Sequence, residues 1–105
     1  MPANKNTLIR YKTIDNTKSF GESPWDVTFW VSAFSSKYIA TKPVHSSQRL
    51  VKENEDGSCV FRIKVVINVE MYSVLMSYGA DLSIMYPQKC VNYMRKQLAR
   101  MGDFY

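Results

Sequence analysis

One histidine and two cysteines are present in 105 residues, and Cys59 and Cys90 form no Cys-x-x-Cys pair. The usual ligand sets of a zinc site are therefore missing. Both cysteines fall on apolar faces of their segments and read as buried free thiols; a disulfide between them would suit a secreted protein. No apolar run approaches the roughly 20 residues of a membrane span. Residues 1–12, MPANKNTLIRYK, lack the apolar core of a secretory signal, so a cytoplasmic protein with no membrane contact is the expectation. Catalytic motifs are missing too. His45 with Ser46 and Ser47 suggests a base and a nucleophile, but no orienting acid, oxyanion hole or nucleophile elbow accompanies them. Glu53, Glu55 and Asp56 lack calcium-loop spacing and read as a solvated hairpin tip. The expectation is no enzyme, no cofactor and no metal.

What is present is an ordinary globular balance, 46% hydrophobic and 22% charged residues, enough for one domain with a modest core. The net charge of +5 is uneven. Residues 1–18 set Lys5, Arg10, Lys12 and Lys18 against Asp15 alone, while the rest of the chain is nearly balanced. Residues 1–24 read as a basic N-terminal arm, loop-like at both ends, whose middle (Thr7–Asp15) fits either a short helix or an edge strand. Such an arm can make weak contact with nucleic acid.

Residues 25–105 read as the folded domain. Trp25–Val31 alternates, with Val27, Phe29 and Val31 facing inward and Asp26, Thr28 and Trp30 facing outward. Ser32 suits an N-cap for a helix carrying Phe34, Tyr38 and Ile39 and stopped by Pro43. Arg49–Asn54 and Ser58–Val66 form a hairpin about Asp56-Gly57. A three-residue loop with Gly57 at the left-handed position sets Val51 opposite Phe61, both inward; a two-residue turn would bury Lys52 there, which is costly. Asn68 caps a helix over Val69–Tyr78, closed by Gly79, with Met71, Val74, Leu75 and Tyr78 inward. A strand over Asp81–Tyr86 follows. Pro87 then opens a last helix with the stripe Cys90, Met94, Leu98 and Met101.

The order β-α-β-β-α-β plus a final helix predicts an α+β fold, a ferredoxin-like sandwich. Its four-stranded antiparallel sheet has helices on one face, with the first and third strands central.

The run Thr41-Lys-Pro-Val-His-Ser-Ser-Gln48, the Glu53-Asn-Glu-Asp-Gly-Ser58 turn and Leu75-Met-Ser-Tyr-Gly79 together resemble the C-terminal extension (WCX) domain of WYL-domain transcriptional regulators. So does the spacing of Pro87, Cys90, Met94, Leu98 and Tyr105. The resemblance spans residues 25–105; Tyr86 departs from the serine that commonly caps the last helix. It implies structural roles for His45, Ser47, Gln48, Gly57 and Gly79. Separately, Asn4–Asp15 resembles the start of Bacteroidetes-type members, where it leads into a winged helix-turn-helix. On this reading the helix-turn-helix and the middle WYL domain are missing between two matched ends, and sequence-specific DNA binding is not expected. The family implies a bacterial cytoplasmic regulator whose C-terminal extension helps it dimerise and relay effector binding.

The candidate partner surface is the sheet face away from the helices, where Trp30, Lys52, Arg62 and Lys64 gather with Thr28. Aromatic and basic side chains on such a face can stack bases and hold phosphates, although the RNA-recognition signature is missing. The same mixture suits a protein interface. Tyr72, Met76 and Met85 are expected to face outward and join a dimer surface. The leading expectation is a homodimeric regulatory module, and the alternative is a single-stranded nucleic-acid binder.

Overall fold

The computed structural model describes residues 13–14 and 23–105, so the expected helix or strand in the arm lies outside the described residues. The elements are β1 (Trp25–Val31), α1 (Ala33–Thr41), β2 (Arg49–Glu53), β3 (Cys59–Val65), α2 (Val69–Met76), β4 (Leu82–Tyr86) and α3 (Gln88–Gly102). The strands form one four-stranded sheet in the order β2-β3-β1-β4, antiparallel throughout. This is the ferredoxin-like α+β sandwich, with β1 and β3 central.

The alternating residues of β1 and β3 build the core. Val27, Phe29, Val31, Phe61, Ile63 and Val65 are all buried and share one cluster with Ile39, Met71, Leu75 and Cys90 of the three helices. The helices therefore cover one sheet face. Both cysteines are buried and free. Ile14 also joins the core, its amide donating to Val44 O at 2.7 Å, so at least this residue of the arm belongs to the folded body.

The helix starts follow local chemistry. Ser32 accepts from Ser35 N at 3.4 Å and donates to Asp81 Oδ1 at 2.8 Å, which ties the start of α1 to the turn before β4. Asn68 accepts from Met71 N at 2.9 Å and so relieves one unpaired amide of α2. Gly79 has φ +59° and closes this region in the left-handed conformation. The helix itself ends at Met76, and a single 3-10 turn over Gly79–Asp81 leads into β4. Pro87 is the N-cap of α3 and offers no side-chain bond there.

Five helix side chains differ from expectation, among them Met76, which packs half-buried against the core instead of facing outward. Phe34 is 79% exposed, because α1 turns Ser35, Ser36 and Ile39 inward instead. Tyr72 is buried, stacked on Tyr93 with ring centroids 3.8 Å apart. Burial, with Cys90 beside it, raises the Tyr72 phenol above its ordinary pKa. Leu98 and Met101 are 61% and 50% exposed, since the second half of α3 rides beyond the layer that buries Cys90.

Candidate functional site

The hairpin turn forms as its sequence dictates: Gly57 N donates to Asn54 O, Asn54 N donates to Ser58 O, and Gly57 takes φ +91°. Asp56 Oδ1 accepts from the Ser58 hydroxyl and amide at 2.6 and 2.9 Å. These bonds lower its carboxyl below the ordinary pKa. From this turn a regular ladder would pair Val51 with Phe61. The strand pairs Lys52 with Val60 but Leu50 with Phe61, so Val51 is an extra residue in a β-bulge and lies 43% exposed. Val51 is therefore not the inward partner of Phe61; Leu50 takes that position.

The bulge has a physical reason. Unbroken pairing would carry Arg49 opposite Ile63, on the core face, where an unpaired cation is costly. One extra residue turns Arg49 to the far face, opposite Arg62. A second bulge at Met85 does the same on the other edge: Phe29 pairs with Ile84 but Thr28 pairs with Tyr86. Cross-strand partners share a face, so Arg49, Arg62, Thr28 and Tyr86 make one row across all four strands. Arg62 Nε donates to Thr28 Oγ1 at 3.2 Å within it.

The next row holds Lys52, Val60, Trp30 and Ser83. Val60 is buried, and Trp30 and Arg62 are half-buried. Lys64 lies on the same face beside Asp26, further along β3. The structure thus brings Trp30, Lys52 and Arg62 onto one surface with Lys64 at its margin. Sequence reasoning omitted Arg49 and Tyr86. For Arg49 a signal existed, since the regular register would have buried a charge; for Tyr86 none is evident.

The segment between α1 and β2 is a latch. Gln48 Oε1 accepts from Val44 N and its Nε2 donates to Ile39 O, both at 3.0 Å. Ser47 N donates to His45 Nδ1 at 3.1 Å, with the Ser47 hydroxyl 2.7 Å from the same nitrogen. That hydroxyl accepts from Lys64 N at 2.8 Å and lies 3.3 Å from Lys64 O. A side chain thereby continues the β3 ladder one step beyond the start of β2. His45 Nδ1, the Ser47 hydroxyl and the Gln48 amide are all engaged with nearby backbone groups. At the hairpin tip the Ser36 hydroxyl donates to Gly57 O at 2.9 Å, fastening the turn to α1.

Grooves lie beside both outer strands. One, of about 590 Å³, runs between α1 and β2 and includes Ala33, Ala40, Leu50 and Phe61. The other, of about 750 Å³, runs between α3 and β4 and includes Met76, Met85, Met94, Leu98 and Met101. Among the described residues, no group of three or more His, Cys, Asp or Glu could hold a metal ion, and no helix is long and apolar enough to cross a membrane.

In comparisons with known proteins, the family model of the WCX domain matches residues 23–102. The match takes in every strand and helix of the sandwich, the His45–Gln48 latch and both bulges. A search of curated proteins found no match.

Proposed function

The chain belongs to the WCX domain family, and from that premise we propose that it is a non-enzymatic regulatory and dimerisation module acting in the bacterial cytoplasm. WCX domains are associated with WYL-type transcriptional regulators, and a regulatory setting is the context this membership supplies. The bonds of His45 Nδ1 to Ser47 N and of the Ser47 hydroxyl to Lys64 N support a structural role for that motif.

The observation carrying self-association is the flank formed by α1 and β2. Phe34, Leu50 and Val51 are 79%, 54% and 43% exposed there, beside the groove that Leu50 helps to line. A two-fold contact uses the same patch on both copies, so the patch must complement itself. This flank offers both signs of charge, Lys37 and Arg49 against Glu53. Light scattering at micromolar concentration should give twice the 12.2 kDa chain mass, and Val51→Lys, at an exposed bulge, should return it to the monomer. A strict monomer up to roughly 100 µM, the range of weak pairs, refutes self-association.

A second reading is favoured by the two bulges. Both place an extra aromatic or cationic side chain in the row that holds Arg62, next to Trp30. This supports single-stranded nucleic-acid binding, with bases on Tyr86 and Trp30 and phosphates on Arg49 and Arg62. Fluorescence anisotropy with a labelled oligonucleotide at two salt concentrations tests it. Affinity should fall with salt and on Tyr86→Ala and Arg49→Ala. No binding at low salt, or indifference to both substitutions, refutes this reading.

A further inference from the structure

Resting on the single-strand reading of the sheet face away from the helices, we infer that the strand lies along β3 and is held unstacked. Its phosphates meet Lys64, Arg62, Arg49 and Lys52, and two neighbouring bases splay onto Tyr86 and Trp30. Such a site selects a single strand over a duplex.

The register sets three successive rows on this face, two residues or roughly 7 Å apart along the strands. Lys64 pairs with Asp26 in the first, Arg62 pairs with both Arg49 and Thr28 in the second, and Lys52 pairs with Val60 in the third. Each row thus has a cation on its β2–β3 side, and together they make a basic track parallel to the strands. Lys64, Arg49 and Lys52 are exposed. Asp26, opposite Lys64, is the one acid of these rows and stands at the end of the track. Arg49 and Arg62 are direct cross-strand partners, an arrangement of like charges that opposes pairing; an anion between them relieves it. Arg62 is half-buried, and its Nε donates to Thr28 Oγ1 at 3.2 Å. That bond orients the guanidinium without using its two terminal nitrogens, the pair that suits a phosphate.

The β1–β4 side carries aromatic rings instead. Tyr86, 54% exposed, belongs to the second row, and Trp30, half-buried, to the third. Their backbones lie on adjacent strands, about 4.8 Å across and roughly 7 Å along. This exceeds twice the rise of about 3.4 Å between stacked bases of a duplex strand. Bases laid on both rings are drawn apart from each other, which a single strand allows and a base-paired duplex does not. An acidic peptide would satisfy the cations alone, whereas phosphates beside flat bases satisfy both sides of the face.

Anisotropy of a short labelled oligothymidylate, titrated with the full chain over a series of salt concentrations, tests the arrangement. Arg49→Ala and Lys52→Ala should each reduce the log–log salt slope by about 0.7, the value for one phosphate contact on a single strand. Tyr86→Ala should weaken binding roughly tenfold, within the range of base–aromatic stacking, and leave the slope unchanged. Tyr86→Phe keeps the ring and should keep the affinity. A base-free strand and a duplex of the same length should each bind at least roughly tenfold more weakly than the oligothymidylate. Equal affinity for either of these, a slope unchanged by both cation substitutions, or a slope that Tyr86→Ala lowers as much as Arg49→Ala does overturns this arrangement and leaves single-strand binding standing. No binding at low salt overturns both. Polyglutamate that displaces the label as well as unlabelled strand does also overturns the arrangement, because the face would then suit an acidic protein.

Discussion

Replacing Gly57 with alanine tests how the hairpin tip is seated. Gly57 has φ +91°, a region where an L-residue costs about 1–2 kcal/mol. Its new Cβ would stand 3.2 Å from the Ala33 Cβ, a contact that requires one neighbour to yield. Neither can retreat freely: the Ser36 hydroxyl holds Gly57 O, and Ser32 holds α1 against Asp81. Strain and crowding together should destabilise the domain by about 2 kcal/mol, or roughly 10 °C in Tm for a domain of this size. Urea and thermal melts followed by circular dichroism measure this. Gly57→Asn should be milder, since asparagine tolerates positive φ while its Cβ meets the same neighbour. Adding Ala33→Gly to Gly57→Ala should recover only the crowding part, read as a coupling in the double-mutant cycle. A Gly57→Ala protein within about 0.5 kcal/mol of the parent, the range of neutral surface changes, would refute both the left-handed turn and its seat on α1.

Asn68→Ala removes the cap of α2 and should cost about 1 kcal/mol in urea unfolding. Asp56, whose carboxyl is lowered by the Ser58 bonds, adds stability that is present above its ordinary value of 3.8. That stability is lost as pH falls through the lower folded value. The gap between the parent and Asp56→Ala should therefore be open at neutral pH and close in acid. Tyr72 behaves oppositely: burial raises its phenol, so stability should decline as pH rises above its ordinary 10.0. Tyr72→Phe should flatten that alkaline decline, and ultraviolet titration should show a tyrosine that ionises only with unfolding.

The sheet was legible because its central strands alternate without interruption. Val27, Phe29 and Val31 against Phe61, Ile63 and Val65 leave one register and one buried face. The caps at Ser32 and Asn68 and the turn at Gly57 are local chemistry and could be read residue by residue. Outer elements were harder, since fewer neighbours dictate their residues. An outer strand, paired on one side only, tolerates an extra residue, and neither bulge leaves a strong mark in composition. Helical spacing likewise placed Leu98 and Met101 on the stripe of Cys90 but could not tell where the sheet beneath that stripe ends. Tyr72 was misplaced for a related reason, because its cover is Tyr93 on a helix distant in sequence. The partner surface was read in part: Trp30, Lys52 and Arg62 were placed by alternation alone, whereas Arg49 and Tyr86 required the bulges.

Those two extra residues also bear on how the domain can tolerate change. Removing Val51 alone would bring Leu50 and Lys52 into consecutive pairs with Phe61 and Val60. Removing Met85 would do the same for Ile84 and Tyr86 with Phe29 and Thr28. At either place the chain could shorten by one residue with every other side chain keeping its face, although a deletion elsewhere in a strand would turn part of that strand inside out. The shortened strands would instead present straight, unbroken edges. Each bulge is thus a spare residue that the fold can lose and that association in solution makes worth keeping.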